Sequence, residues 1–391
     1  MPKLLSFIVD NRGKTVPLDD DGSHILIATN CVRNERLYPV YDKVRYLSQD
    51  TYDNWFRAHP VPGDVLFVCK GTPGRVCFVP DPIDFCIAQD MVALRTNPDI
   101  LYNRFLLAVL RSRPIQEQIT NTSVGDVIPH FKKQFFEQLL IPCPSMEIQK
   151  AIGDLYFNFC LKIEQNNKIN RNLLQQLMLL YNNTISTSEL NEVELKTICN
   201  FQEGYVNPAQ THPEYFDGEV KWLRAVDINE SYIIETSRTL TQTGFLSAKK
   251  SALLFQPDTI AISKSGTIGR LGIIADYMCG NRAVINVAPK EISLLPFIYA
   301  YLKSRQNEFP SLAVGSVQKN LYVSVLESLI IQIPEKADLE AFCNAGNALL
   351  KTIKNNCKEN IYLSNIRDTI MPQILSGELD FEDVNNLSEE S

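Results

Sequence analysis

Two short stretches carry the residues best suited to bind a ligand. The pattern Gly-Thr-x-Gly-Arg occupies residues 71–75 and again residues 266–270. Its glycines let the backbone approach a ligand closely, and a neighbouring arginine or lysine can bind phosphate or guanine. The same pattern also forms a tight β-turn with a solvated arginine, and this interpretation is favoured for the glycines. Both interpretations stay open for four flanking cations: Lys70, Arg75, Lys264 and Arg270.

Neither a phosphate-binding nor a methyl-transfer motif is present. Residues 13–15 are Gly-Lys-Thr, but Ile8 replaces the glycine that a phosphate-binding loop needs five residues before residue 13. A methyltransferase needs a glycine-rich cofactor loop after a strand and an aromatic-bearing Pro-Pro motif, and the sequence contains neither. The histidines are dispersed along the chain, which is typical of structural histidines.

A metal-dependent nuclease is not indicated either. Such an enzyme needs clustered carboxylates near a lysine. Asp64 and Lys70 in the first half of the chain recur in the second half as Asp258 and Lys264. No carboxylate immediately precedes either lysine. We therefore expect no catalytic residues, no metal site and no cofactor.

Composition is typical of a globular protein with two domains. The 391 residues suffice for two domains, and 45% apolar with 21% charged residues excludes a disordered or fibrous chain. No apolar run approaches a membrane span, and ten cysteines without a Cys-x-x-Cys pair predict reduced thiols in the cytoplasm. The net charge of −7 argues against a general polyanion binder, so any nucleic-acid-binding surface must be local.

Other residues near predicted loops supply the cationic, amide and hydroxyl groups that contact phosphates and base edges. Each residue alone fits a solvated surface position, whereas the group fits a nucleic-acid-binding surface. Besides the four cations above, the candidates are Arg33, Arg36, Thr72, Lys132, Lys133, Arg224, Ser265, Thr267, Gln318 and Lys319.

Residues 146–184 and 338–374 both show apolar residues at steps of three and four. This spacing predicts two long amphipathic helices with a coiled-coil seam that pair antiparallel. The two stretches share residues at a constant offset, including two asparagines each, which we assign to fixing the register of the pair. The predicted helix-pairing residues are Ile163, Asn166, Asn170, Leu173, Leu177, Leu180, Ile353, Asn356, Asn360, Leu363 and Ile370.

The segments outside the helices repeat as well, so we interpret the chain as a duplicated two-part module. We predict an α+β fold with two tandem units, separated by two long helices that form an antiparallel coiled coil with a pseudo-two-fold axis. The predicted limits are 1–144 for the first unit, 145–187 for the central helix, 188–334 for the second unit and 335–391 for the C-terminal helix with an acidic tail. Framework residues recur while many surface positions differ, which indicates one scaffold with two contact surfaces; simple drift of the copies is the alternative.

The order and duplication of these motifs resemble the specificity subunits of type I restriction–modification enzymes. The similarity rests on residues 70–75 and 265–270, on the segment 163–170, and on the ending Ile-Leu-Ser-Gly-Glu-Leu at 374–379. It implies that the two units are target-recognition domains that bind a split target in double-stranded DNA. It also implies assembly with modification (methyltransferase) subunits and restriction (endonuclease and translocase) subunits, which methylate and cleave DNA, whereas this chain is non-catalytic.

The predicted helices also suggest how the two half-sites are spaced. A helix of about 40 residues is about 60 Å long, so a helix pair of this length would fix the gap between the half-sites. Two other classes of protein remain as alternatives: a duplicated protein-interaction scaffold without DNA binding, and a free-standing nuclease or methyltransferase. One difference between the copies concerns the shape of the turn, because Pro73 stands where the second copy has Ile268.

Overall fold

The computed structural model describes residues 1–11, 14–125, 128–315 and 319–376. The chain divides into two compact units. The first unit comprises Met1–Gln165 and Tyr362–Ser391, and the second comprises Asn166–Ile361. No helix of the described ranges is long and apolar enough to cross a membrane.

Over its described residues, the first unit contains three short α-helices and two small sheets. Its strands are β1 Leu5–Val9, β2 His24–Ile27, β3 Arg45–Leu47, β4 Val65–Val68, β5 Val76–Phe78, β6 Phe85–Ile87 and β7 Met91–Thr96. Its short helices are α1 Gln49–Asn54, α2 Asn103–Arg111 and α3 Arg113–Thr122. One sheet has the order β1-β7-β4-β5 and the other the order β3-β2-β6.

Strand β4 explains why this unit needs apolar layers on both sides. Its four residues are all buried. Because side chains alternate across a strand, Val65 and Phe67 enter the core beneath α2, whereas Leu66 and Val68 enter a separate core against the second sheet. A continuous apolar run is the pattern expected for a strand covered on both faces.

The second unit repeats this plan. Its strands are β8 Leu190–Glu194, β9 Cys199–Glu203, β10 Phe216–Leu223, β11 Tyr232–Ile233, β12 Thr239–Leu240, β13 Leu254–Phe255, β14 Ile260–Ser263, β15 Leu271–Ile274, β16 Met278–Gly280, β17 Val284–Pro289 and β18 Ile330–Pro334. Its short helices are α5 Leu195–Ile198, α6 Gln242–Leu246, α7 Leu295–Ser304, α8 Phe309–Leu312 and α9 Val323–Glu327. Its main sheet has the order β11-β15-β14-β17-β9, in which β14 takes the central place that β4 takes in the first unit.

Backbone hydrogen bonds show which residues of the two turns are equivalent. The N–H of Val68 donates to the carbonyl oxygen of Arg75 at 2.9 Å, and the N–H of Ser263 donates to that of Arg270 at 3.0 Å. Val68 is therefore equivalent to Ser263, and the next residue, Cys69, is equivalent to Lys264. The sequence pairing of Lys70 with Lys264 was wrong by one residue.

The same one-residue correction applies to the aspartates. The N–H of Gly63 donates to Val79, and the N–H of Asp258 donates to Ile274, so Asp258 is equivalent to Gly63 and not to Asp64. Both residues have positive φ, 88° for Gly63 and 58° for Asp258. The backbone of this turn thus keeps one conformation although glycine is replaced by aspartate, a residue that tolerates the left-handed region better than most.

Despite Pro73, the two glycines of the first turn have nearly the same backbone φ angles as those of the second turn. The φ angles of Gly71 and Gly74 are 86° and 90°, and those of Gly266 and Gly269 are 74° and 87°. A side chain at any of these positions would be strained, because L-residues rarely adopt such angles. The two turns therefore share one shape.

Two long helices contribute to both units. They are α4 Met146–Thr187 and α10 Lys336–Ser376. Ser145 begins α4, since its Oγ accepts a hydrogen bond from the N–H of Ile148 at 3.4 Å. The unit limits fall inside both helices, between Gln165 and Asn166 in α4 and between Ile361 and Tyr362 in α10.

Within the second unit the two helices run antiparallel. The Tyr181 ring lies 6.2 Å from the Phe342 ring. This contact forms one end of a stripe whose apolar residues are buried. Gly346 lies so close to Leu177 that a Cβ added there would be 3.1 Å from Leu177 Cδ1. Farther along, Asn170 pairs with Asn356, so positions rise in one helix as they fall in the other.

A polar layer interrupts the apolar stripe. Asn166 donates hydrogen bonds to Asn360 Oδ1 at 2.9 Å and to Glu359 Oε2 at 2.7 Å. Asn360 donates in turn to Asn167 Oδ1 at 3.1 Å, and Asn356 donates to Asn170 Oδ1 at 2.8 Å. Asn166 is 1% exposed and Asn170 6% exposed. Any other register would leave these buried amides without partners, so the layer specifies the pairing.

The helices also run antiparallel within the first unit. Arg367 of α10 is 8% exposed, donates to Cys160 Sγ of α4 at 3.7 Å, and lies 5.8 Å from the Tyr156 ring centroid. The same two residues, Tyr156 and Cys160, also join the core of the first unit. The α+β class and the antiparallel pairing of two long helices are thus confirmed.

The other predicted helix-pairing residues differ in burial. Ile163 is 7% and Ile353 1% exposed, while Leu173 and Leu363 are half-buried. Leu180 is 39% exposed, because the residue one turn after Leu177 on the buried side is Tyr181. The side chain of Ile370 lies outside the described residues.

Breaking the asparagine layer from one side should destabilise the protein more than replacing both partners. Asn166→Ala leaves Oδ1 of the half-buried Asn360 without this donor and should lower the free energy of unfolding by about 1–3 kcal/mol. The double variant Asn166→Leu with Asn360→Leu should restore much of that loss, because it removes both partners. Urea unfolding monitored by circular dichroism measures both effects.

The exposed Asn182 provides the matched control for this measurement. Asn182→Ala should change the free energy of unfolding by less than about 0.5 kcal/mol, as is usual for surface positions. Equal effects at Asn166 and Asn182 would show that the layer does not stabilise the helix pair.

Candidate functional site

In each unit the Gly-Thr-x-Gly-Arg turn contacts a later segment of the chain, near residue 130 in the first unit and just before α9 in the second. In the first unit the N–H of Gly71 donates to Pro129 at 3.0 Å, and the N–H of Phe131 donates to Cys69 at 2.8 Å. In the second unit the N–H of Leu321 donates to Lys264 at 2.9 Å. These bonds place Lys70 beside the segment that carries Lys132, and they place Lys264 beside the segment that carries Lys319.

In the second unit these segments enclose an open polar cleft of about 380 Å³. The turn 264–270, the β16–β17 connection and the segment before α9 all contribute to it. Its lining offers cationic, amide and hydroxyl groups together with one aromatic ring. The lining residues are Lys264, Ser265, Asn281, Arg282, Ala283, Asn320 and Tyr322.

Lys264 forms an ion pair at the edge of this cleft. Its Nζ donates to Glu203 Oε1 at 2.7 Å and lies 5.6 Å from the Tyr322 ring centroid. Tyr205 donates its hydroxyl to Glu203 Oε2 at 2.7 Å. Burial raises the pKa of Glu203, but hydrogen bonds from Lys264 and Tyr205 outweigh burial, so the net pKa lies below its ordinary value. Glu203 is therefore ionised at neutral pH and Lys264 is held in place.

The first unit has a carboxylate–lysine pair at the same backbone position. The registers of β1 on β7 and of β9 on β17 make Asp10 equivalent to Glu203. Asp10 pairs with Lys133, which follows Phe131 by two residues. Since Lys264 comes from the turn and Lys133 from the following segment, the two units reach the same local charge balance through different elements.

Several other candidate cations are also engaged within the fold. Arg33 pairs with Asp42 at 2.7 Å, and Arg36 makes a two-bond ion pair with Glu164 of α4. Arginine suits such a bidentate contact because of its planar fork. Arg36 thus fixes a loop of the first unit to its long helix.

Two arginines of the second unit make weaker contacts. Arg224 lies 3.7 Å from Asp227 and donates to Ser237 Oγ at 2.6 Å. Arg270 donates to the carbonyl oxygen of Ala225 at 3.5 Å. Both side chains are half-buried; Arg224 contacts two side chains, and Arg270 contacts one backbone carbonyl.

The remaining candidates have no side-chain hydrogen bond or ion pair with any described residue. Lys70, Lys132 and Lys319 are exposed and Arg75 is half-buried. The hydroxyl candidates Thr72 and Thr267 are exposed and Ser265 is half-buried. Gln318 lies outside the described residues. Among the candidates, the cations without a described partner therefore lie at the turn and the neighbouring segment in the first unit, and in the neighbouring segment alone in the second.

Sequence reasoning missed Glu203, Arg282 and Tyr322. No local pattern marks them, because each reaches the cleft through strand pairing or a segment contact that spans many residues. Arg282 is exposed and, among the described residues, has no hydrogen-bond or ion-pair partner. Within the same ranges no group of three metal-ligating side chains is present.

The chain has two α+β units of one plan and a pair of long helices. Each unit carries a polar surface with cationic side chains. These features are those of a binding protein with two similar surfaces. Comparison with known proteins identifies what such proteins recognise. The family described as the type I restriction modification DNA specificity domain matches residues 19–183 and again residues 187–359. The chain belongs to this family.

Individual relatives agree with the family match. The chain is 23% identical over 310 residues to the type I restriction enzyme MjaIX specificity subunit of Methanocaldococcus jannaschii, covering 73% of this chain and 71% of that protein. It is 21% identical over 325 residues to the MjaVIII specificity subunit of the same organism, covering 76% and 75%. The crystal structure of a type I restriction–modification S subunit from M. genitalium shares the fold, with a TM-score of 0.53, 17% identity and coverage of 94% and 93%.

The resemblance found in the sequence is thereby confirmed. The protein is a DNA-sequence-recognition subunit of a type I restriction–modification system. The alternative of an interaction scaffold without DNA binding is not supported.

The Lys264–Glu203 pair should make a pH-dependent contribution to stability. Because the folded pKa of Glu203 lies below its ordinary value of 4.5, ionised Glu203 stabilises the fold above pH 4.5. This stabilisation is lost as the pH falls through the folded pKa. Lys264→Met should therefore lower the free energy of unfolding, by about 1 kcal/mol or less, near pH 7 and have a smaller effect below pH 4.5.

Lys250 serves as the control, since it is exposed and unpaired within the described chain. The free energy of unfolding of Lys250→Met is measured with urea between pH 3 and pH 7 (about the range in which carboxylates titrate). Its difference from wild type should be the same at every pH. If Lys264→Met also runs parallel to wild type, the ion pair does not contribute to stability.

Proposed function

We propose that this chain binds a split target in double-stranded DNA, with one half-site contacted by each unit. Residues 1–144 and 188–334 are the proposed target-recognition domains. The observation that carries the proposal is that each unit presents exposed or half-buried cations that pair with no described residue: Lys70, Arg75 and Lys132 at the turn and adjoining segment of the first unit, and Lys319 in the adjoining segment of the second, although the whole chain has a net charge of −7. Such local positive charge favours phosphate contacts without general polyanion binding.

The unpaired and paired cations take different proposed roles. Lys70, Arg75 and Lys132 of the first unit and Lys319 of the second are free to contact phosphates, which position a protein on duplex DNA. Lys133, Lys264, Arg33 and Arg36 are engaged by carboxylates, so we assign them to shaping the surface. Arg224, Arg270 and the hydroxyl residues of the turns remain candidates for DNA contacts.

We propose that catalysis belongs to partner subunits. The modification subunits would methylate the DNA bound by this chain, and the restriction subunits would cleave it. The names of the relatives, specificity subunits of type I restriction enzymes, support this division of labour. All ten cysteines are free thiols, which is consistent with the reducing cytoplasm where the chain would meet DNA.

We further propose that α4 and α10 set the gap between the half-sites. Both helices are continuous across the limit between the two units. The asparagine layer gives the pair one register, so its length is a fixed quantity. A protein built this way recognises two half-sites at one spacing.

Methylome sequencing in a host tests the proposed function. A host that carries this chain and the methyltransferase gene of the same system should methylate one bipartite motif with a fixed gap. Deleting either gene should abolish that methylation, because binding and chemistry lie on different chains. Methylation by this chain alone would contradict the non-catalytic role, and an unchanged methylome on its deletion would contradict the recognition role.

A matched insertion in both helices tests the spacer. Seven residues added after Gln165 and seven after Ile361 lengthen α4 and α10 at the unit limits and keep all contacts within each unit in register. A heptad is close to two turns and adds about 10 Å, and a base pair advances about 3.4 Å. The methylated motif should keep both half-sites, and its gap should increase by roughly three base pairs.

The control insertion changes α4 alone. It forces the Asn166 layer and the Cys160–Arg367 contact out of common register, so helix pairing and methylation should be lost. A doubly inserted protein that folds and still methylates the original spacing would rule out the helices as the spacer.

A further inference from the structure

One backbone position next to the cleft carries an unpaired polar side chain in both units. In the second unit the N–H of Lys264 donates to the carbonyl oxygen of Ala283 at 2.7 Å. This bond brings the β16–β17 connection against the Gly-Thr-x-Gly-Arg turn. The residue before Ala283 is Arg282, which lines the cleft.

The first unit repeats the bond. The N–H of Cys69 donates to the carbonyl oxygen of Asp90 at 2.7 Å. Because Cys69 is equivalent to Lys264, the residue before Asp90 is equivalent to Arg282. That residue is Gln89. The two copies therefore place glutamine and arginine at one position, at the end of the same connection.

Arg282 has the chemistry of a guanine-binding side chain. It is exposed, and no hydrogen bond or ion pair to a described residue occupies its guanidinium. Glu203, the nearby carboxylate, is already bonded by Lys264 and Tyr205. A free guanidinium fork matches the O6 and N7 acceptors of guanine in the major groove.

Gln89 offers the complementary chemistry in the first unit. Its side chain is half-buried, and its Oε1 is buried without a hydrogen-bond partner in the described ranges. The amide must therefore rotate outward to meet a base, and because Oε1 has no hydrogen-bond partner in the described ranges, this rotation breaks no hydrogen bond of that oxygen. An adenine supplies the N6 donor and the N7 acceptor that a glutamine amide matches.

We propose that this position determines one base pair in each half-site, with Gln89 contacting an adenine through the first unit and Arg282 a guanine through the second. The inference rests on the proposed function, since it names two specificity-determining residues of the DNA-binding surface. The adjoining equivalent residues cannot take this role, because Cys69 is buried and Lys264 is held by Glu203. One scaffold position would then distinguish the two half-sites by side-chain type alone.

Selection from a random-sequence duplex library tests the proposal, using the full chain assembled with the modification subunits. Arg282→Gln should alter the preference at one base pair of the second unit's half-site. The affinity for guanine there should fall by about tenfold to a hundredfold, as for loss of a bidentate base contact. Gln89→Arg should change one base pair of the other half-site toward guanine, and each variant should leave the opposite half-site intact.

Two further variants separate base recognition from charge and from folding. Arg282→Lys keeps the charge but lacks the fork, so it should retain overall affinity and lose the guanine preference. Lys319→Gln removes one exposed cation of the same unit and should weaken binding to all sequences evenly. Recovery of each variant with the modification subunits shows that it is folded.

The outcomes distinguish this inference from the proposed function. A wild-type complex that enriches no motif overturns the proposed function and this inference with it. A wild-type complex that enriches a bipartite motif, together with Arg282 and Gln89 variants that enrich the same motif, overturns the inference alone. A uniform loss of affinity in Arg282→Gln likewise overturns it, because it identifies a phosphate contact.

Discussion

The pairing of α4 with α10 is the interaction on which both units depend. Each unit uses part of both helices, and the face of α4 that meets α10 lies next to the face that closes a unit's core. Apolar stripes alone would tolerate several registers, whereas the buried Asn166–Asn360 and Asn170–Asn356 bonds are satisfied in one. The buried asparagines thus limit the two apolar helices to one register, as the proposed spacer role requires.

Each unit pairs some of its basic side chains with carboxylates and leaves others without a described partner. An acidic protein that binds DNA must keep its cations where the DNA lies, and here many basic side chains are already neutralised by neighbouring carboxylates. Lys264 with Glu203 and Lys133 with Asp10 occupy one place in the two units. These pairs fix polar side chains at the edge of each unit's surface, and the proposal assigns the attraction to phosphate to the lysines and arginines without a described partner.

The equivalence of the two units is a property of their backbones more than of their sequences. The hydrogen bonds of the turn make Cys69 equivalent to Lys264, and the strand registers make Asp10 equivalent to Glu203. Neither pair shares a residue type. Specificity can therefore change through side chains while the scaffold stays constant. The position of Gln89 and Arg282 would be such a change under the proposal above, because an arginine for guanine and a glutamine for adenine differ in one side chain on the same backbone.

The sequence by itself determined the long helices, the duplicated plan and the membership of the family, since helical periodicity and repeated turn residues are local patterns. Only the tertiary structure decided which candidate cations are free. Lys264 and Glu203 are 61 residues apart, and their pairing arises from the packing of strands that no local spacing records. The one-residue error in matching Lys70 with Lys264 has a different origin: it followed a shared residue type, whereas the Gly-Thr-x-Gly-Arg pattern and the backbone hydrogen bonds both match Lys70 with Ser265. Arg282 escaped notice because strand pairing, and not sequence proximity, carries it to the turn.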